Sequence, residues 1–228
     1  MNPKSVYYKD KKQFLVAVDC IIFGFKNNEL CLLLVKRGFN PGKGQWSLAG
    51  GFLDDNESID QAARRVLHQL TGLEDLFMEQ VNTFGEPGRD PGQRVLSVCY
   101  YALINIEDYK ADWAKTYHTK WVNINQLPPL VFDHTQMVQK ALESLQQKAS
   151  TKPIGFNLMP EKFSLNQLQN LYQAIFQKIL DNRNFRKKVK AFDFIEALDE
   201  KDKSYSKKGA FLYRFNKERY DNSSFKFI

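Results

Sequence analysis

"GGFLDDNESIDQAARRVLHQLTGL" runs from residue 50 to residue 73, and its reading decides the fold. Two glycines and an acidic turn lead into a helix predicted from about Glu57 or Ser58 to Leu70, with Gly72 in the usual terminating position. Ala62, Ala63, Val66, Leu67 and Leu70 recur at helical spacing and read as the packing face. Positions 66, 69 and 70 stand at i, i+3 and i+4 and therefore share one face. Val66 and Leu70 bring no oxygen to that face, and Gln69 brings one neutral amide.

Working outward, the front of the chain alternates sheet and helix. "FLVAVDCIIFGF" (14–25) and "LCLLLVKR" (30–37) flank the turn-forming "KNNE" and predict a hairpin. "GFNPGKGQW" (38–46) is a Gly/Pro-rich loop. Strands fit residues 76–85, 93–106 and 119–124, and a helix fits 134–148. "ASTKPIGFN" (149–157) breaks the pattern, which divides the chain into domains 1–150 and 151–228.

The back third has another rhythm. From Ser164, a good N-cap, Leu165, Leu168, Leu171, Tyr172, Ile175, Phe176 and Ile179 form one apolar stripe. "LDN" (180–182) interrupts it, with Asn182 suited to a tight turn, and a shorter helix follows over 183–192. Strands at 194–198 and 210–215 enclose a polar loop. Helix, turn, basic helix and basic hairpin make the plan of a winged helix-turn-helix.

Charge divides along the same line. Residues 1–150 hold 17 Lys/Arg against 17 Asp/Glu, and residues 151–228 hold 16 against 9, so the net +7 sits in the last third. That asymmetry points to a polyanionic partner. Apolar residues at 43% and charged ones at 26% argue against wholesale disorder. No apolar run is long enough for a transmembrane helix, and no secretory leader is evident, so no membrane partner is expected. Cys20, Cys31 and Cys99, odd in number and set in strand-like runs, read as buried thiols of a cytoplasmic protein. His68, His118 and His134 are too scattered for a zinc site, and no metal or cofactor is expected.

The stretch at 50–73 resembles the Nudix box, G-x5-E-x7-R-E-x-x-E-E-x-G-hydrophobic. Gly51, Glu57, Arg65, Gly72 and Leu73 match it, while Val66, Gln69 and Leu70 stand at its three Glu positions. In a working Nudix hydrolase, the resemblance implies, those carboxylates gather Mg²⁺ or Mn²⁺ on a diphosphate and activate a water. Without them the chain is not expected to be an enzyme. "TFGEPGRDPGQRVLSVCYYAL" (83–103), "VFDHTQMV" (131–138), "FSLNQLQNLYQAIF" (163–176) and "DNRNFRKKV" (181–189) resemble the Nudix-related transcriptional regulators over nearly the whole chain. The resemblance implies an α/β (α+β) architecture: a Nudix-like α/β/α sandwich with a mixed sheet, then a winged helix that binds double-stranded operator DNA as a homodimer. It looks closest to the arabinose-responsive branch, which implies a repressor of sugar-utilisation genes released by L-arabinose. An ADP-ribose-type or other sugar nucleotide as effector, or a divergent pyrophosphohydrolase using Glu57, Glu86 and loop acids, stands as the alternative.

For DNA, Arg183, Asn184 and Arg186 are the base-reading candidates, because Arg and Asn address guanine and adenine bidentately. Lys187, Lys188 and Lys190, with Lys207 and Lys208 of the wing loop, are candidates for phosphate. For the effector, the candidates are Asp19, Arg37, Trp46, Glu57, Glu86, Arg94, Asp133 and His134, which offer hydrogen-bonding groups and an aromatic floor.

Overall fold

A computed structural model of the chain describes residues 10–74, 76–109, 118–203 and 208–221. Strand β1 (Leu15–Lys26) turns back into β2 (Glu29–Lys36) through Asn27 and Asn28, both at positive φ (52° and 64°). Two such residues in succession match a turn whose twist suits a two-residue hairpin. Strands β3 (Trp46–Ser47), β4 (Ala49–Phe52), β5 (Phe77–Phe84), β6 (Val95–Asn105) and β7 (Thr119–Asn123) complete a seven-stranded sheet. Its main path is β3-β2-β1-β6-β5, with β4 on β1 and β7 on β2. The β1–β6 pair is parallel and its neighbours are antiparallel, so the sheet is mixed as expected.

Burial on both faces follows from the two-residue period of the strands. Val18, Cys20, Ile22, Leu33, Val98 and Tyr100 meet helix α1 (Ile59–Thr71) through Ala62, Ala63, Val66 and Leu67. The alternate set, Ile21, Phe23, Leu32, Leu34, Tyr101 and Leu103, meets helix α2 (His134–Thr151) through Met137, Val138, Ala141, Leu145 and Ala149. Helix α1 begins at Ser58, whose hydroxyl accepts from the Gln61 amide while Gln61 reaches back. It ends on Gly72 at φ 67°, a conformation that favours glycine.

The back third forms helix α3 (Leu165–Phe176), helix α4 (Asn182–Lys190) and a three-stranded sheet of β8 (Phe163–Ser164), β10 (Ala210–Phe215) and β9 (Ile195–Asp202), in that order, followed by a short helix α5 (Lys217–Asp221). Its apolar residues join the same cluster as α2: Leu168, Leu171, Tyr172, Ile175, Phe185 and Val189 belong to it. Helix α2 itself runs through residue 150.

Three local expectations are corrected. Helix α3 stops at Phe176, so Ile179 is 93% exposed and outside the stripe. The left-handed turn residue is Gln177 (φ 53°), while Asn182 is the first residue of α4, behind the N-cap Asp181. Hydrophobic spacing carried Ile179 into the helix, but the left-handed C-cap Gln177 ends it first, and the Gln173 side chain accepts from the Leu180 amide just beyond. Strand β9 also continues to Asp202 through residues read as loop, because backbone pairing with β10 needs no apolar pattern on an exposed wing.

Candidate functional site

Between the hairpin, β4, α1 and the start of α2 lies a cleft of about 220 Å³. Val66, Gln69 and Leu70 all line it, so the three positions that lack carboxylates face the space where a metal-bound diphosphate would sit. Val66 does double duty: it is 3% exposed and packs in the α1 core. A side chain on Gly51 would come within 3.0 Å of its Cγ2, so the box glycine is a close-packing position here.

Glu57 and Arg65, the charged box residues that remain, serve one another. Arg65 Nε donates to Glu57 Oε2 at 2.9 Å, and Arg65 Nη2 donates to Glu57 Oε1 and to the Phe52 carbonyl. The Asp54 amide also donates to Glu57 Oε1. The Arg65 bonds, then the Asp54 amide, hold the Glu57 carboxyl down at about 2. Both carboxylate oxygens are thus engaged, and Glu57 does not line the cleft. Among the described residues no three His, Cys, Asp or Glu side chains gather as a metal site. This donor set does not fit the divalent cations of a Nudix centre.

The opposite wall is a buried polar network. Asp19 accepts from the Ser97 hydroxyl at 2.5 Å, with Arg89 Nη2 at 3.9 Å and His134 Nε2 at 3.8 Å. Gly50 makes room for that carboxylate; a Cβ there would press on Asp19 Oδ1 and lie 3.0 Å from the Val18 carbonyl. Arg89, with a 4% exposed side chain, grips Asp133 with two parallel bonds of 2.8 and 2.7 Å. The Leu48 amide donates to His134 Nδ1 at 3.1 Å. An amide can only donate, so the neutral ring carries its proton on Nε2, toward Asp19. Burial, the largest influence, lowers the His134 pKa and favours that neutral ring. At the mouth, the Arg37 guanidinium lies 4.1 Å from the Phe39 ring centroid and 5.1 Å from that of Phe132. Its Nε donates to the Pro41 carbonyl at 2.6 Å.

Of the eight effector candidates, the fold brings Asp19, Arg37 and His134 to the cleft. Asp133 stands behind Arg89. Trp46 is half-buried under the Lys36 ammonium and packs toward the core instead. Glu86 is exposed, and its carbonyl accepts from Arg94, which lies over Phe14. Sequence reasoning missed Arg89, Phe39 and Phe132. The available signal was an arginine framed by "GEPG" and "DPG", and aromatics placed in Gly/Pro loops where no core needs them.

The second candidate surface is α4. Phe185 and Val189 are buried, and Arg183, Asn184, Arg186, Lys187, Lys188 and Lys190 are exposed around them. Arg186 leans on Asn166 of α3 at 3.4 Å, whereas Arg183 and Lys187 occupy the side opposite the buried stripe, as a 100° rotation per residue requires. Lys208 is exposed beside the wing, and Lys207 lies outside the described residues. Among the described residues no helix is long and apolar enough to cross a membrane.

Comparison with known proteins adds the lineage. Residues 13–141 match the NUDIX domain, and residues 155–215 match the NrtR DNA-binding winged helix domain. The chain is 34% identical over 211 residues, 91% of its length and 84% of the relative's, to the ADPR responsive transcriptional repressor NtrR of Acinetobacter baylyi. It superposes on Shewanella oneidensis NrtR complexed with a 27mer DNA with a TM-score of 0.80 at 30% identity, over 90% of this chain and 95% of that one. The NUDIX domain of that protein complexed with ADP ribose gives 0.50 at 31% identity, over 64% and 94%. The ADP-ribose pyrophosphatase of Methanocaldococcus jannaschii is 35% identical over 145 residues, 60% of this chain and 82% of the enzyme. None of these relatives is described by arabinose, so that expectation draws no support from them.

Proposed function

From the premise that this chain belongs to the NUDIX family and joins its NUDIX domain to an NrtR-type winged helix, we propose that it is a DNA-binding repressor whose cleft takes ADP-ribose as effector. One observation carries the reading. The cleft has lost the carboxylates of diphosphate chemistry at all three box positions, while the domain that holds it shares a hydrophobic core with a cationic recognition helix. A domain in this state binds a sugar nucleotide and does not split it. The exposed rings of Phe39 and Phe52 suit a base, and Lys36 and Arg37 suit a diphosphate. Regulation requires the ligand to distinguish the DNA-competent conformation from another. The sense proposed is release: ADP-ribose lowers DNA affinity. A homodimer on paired half-sites about 34–36 Å apart suits the winged module.

The test is fluorescence anisotropy on a duplex obtained by in vitro selection with this chain, titrated with ADP-ribose and, separately, L-arabinose. Loss of DNA affinity with ADP-ribose alone supports the reading. An unchanged affinity with ADP-ribose refutes it, and a response to L-arabinose alone restores the sugar-responsive expectation. A phosphatase-coupled assay with Mn²⁺ checks the second half, since brisk phosphate release from ADP-ribose would make the chain a hydrolase.

A further inference from the structure

Asp133 is in the N-cap position of α2, yet its side chain makes no capping bond. An aspartate there ordinarily accepts from the second or third helical amide; Gln136 already donates to the Asp133 main-chain carbonyl at 2.9 Å, which leaves the Thr135 amide for a freed carboxylate. Instead both carboxylate oxygens are held by Arg89, a lining residue of the cleft. The residue before it, Phe132, is at φ 53°, a left-handed conformation that costs a bulky side chain energy and that persists only under constraint. Its ring lies against Arg37 and stands edge-on to His134, 5.7 Å away. The start of α2 is therefore strained, lacks a side-chain cap, and is tied to the ligand wall by the Arg89–Asp133 pair as well as by His134.

The far end of the same helix is tied to the DNA-binding module. Gln146 Nε2 donates to the Ile175 carbonyl in the last turn of α3 at 2.9 Å. Leu145 and Ala149, both fully buried, share a cluster with Leu168, Leu171, Tyr172 and Ile175. Eighteen residues of helix span about 27 Å, a rigid link from the cleft to the helix-turn-helix.

Resting on the effector reading above, we propose that the Arg89–Asp133 pair is a latch. A ligand diphosphate draws the Arg89 guanidinium toward the cleft, Asp133 is freed to cap its own helix, and Phe132 relaxes. Helix α2 then carries the shift into α3, changing the placement of the recognition helix. The two arrangements of Asp133, on Arg89 or on its own helix, supply the two-state element that coupling between distant sites requires.

The experiment compares the full chain with Asp133→Asn, measuring DNA affinity with and without ADP-ribose and ligand binding by calorimetry. In the wild type ADP-ribose should lower DNA affinity at least fivefold, the lower end of ordinary coupling. Asp133→Asn should reduce that factor to below about twofold while ADP-ribose binding remains measurable, because a neutral amide cannot hold Arg89 against a diphosphate. A variant that keeps the full factor overturns the latch and leaves the effector reading standing. A wild type that ignores ADP-ribose overturns both. Hydrogen exchange on the wild type covers a variant that fails to fold. ADP-ribose should change protection at amides 134–137 and in α3, and unchanged protection there despite a shift in DNA affinity overturns the latch.

Discussion

Replacing Gly50 with alanine tests whether the cleft wall depends on one missing methyl group. The added Cβ would press on Asp19 Oδ1 and stand 3.0 Å from the Val18 carbonyl. Neither neighbour yields freely. Val18 is in the middle of the β1–β4 pairing, and Asp19 is fixed by Ser97 and faced by Arg89 and His134. Overpacking of a closed site costs about 1–3 kcal/mol. For a chain of this size that lowers the melting temperature by roughly 2–4 °C per kcal/mol. Gly38→Ala is the control, because its Cβ would meet nothing within 4 Å and its φ is not positive. That change should fall within about 0.5 kcal/mol of neutral. Urea titration gives both stabilities, and calorimetry compares Gly50→Ala with the wild type, where ADP-ribose affinity should fall with the disturbed wall. If the two variants have the same midpoint and Gly50→Ala keeps the wild-type ADP-ribose affinity, the wall does not need the glycine and the reasoning fails.

Other outcomes follow from the same geometry. Leu171 is fully buried in the core shared by α2 and α3, so Leu171→Ala should cost about 2–5 kcal/mol in denaturant unfolding. His134 has its pKa lowered by burial, so the unfolded chain takes up the proton first as pH falls below about 6.5, the ordinary histidine value. Stability should therefore decline with acidity through that window, and His134→Gln should flatten this part of the profile. On DNA, Lys187→Ala should weaken binding to all sequences alike and reduce the salt slope by about one, and Asn184→Ala should lose about 1–3 kcal/mol of discrimination at one base. Competition titrations at several salt concentrations separate the two.

Much of the architecture is legible before any fold is built, because it rests on local rules. The near-continuous apolar runs of β1, β2 and β6, the Ser58 and Ser164 caps and Gly72 depend on residues within one turn or one strand. Ile179 shows the limit: apolar spacing extended α3 to a residue that the C-cap had already excluded. The effector candidates divided on the same principle. Asp19, Arg37 and His134 were accessible to residue-type reasoning, but their meeting with Arg89 was not.

What the sequence determined by itself is chemical. Val66, Gln69 and Leu70 leave one helix face without carboxylates, and the positive charge of the last third is an inventory that no fold can alter. What the tertiary structure alone decided is conjunction. Residues 70 and 87 positions apart came together as Asp19, Arg89 and Ser47 beside His134, Glu57 was turned inward to Arg65, and the strand pairing left a gap at Gly50 that only glycine fills. The reason is that side-chain chemistry is a property of each residue, whereas proximity between distant residues is created only when sheet and helices pack.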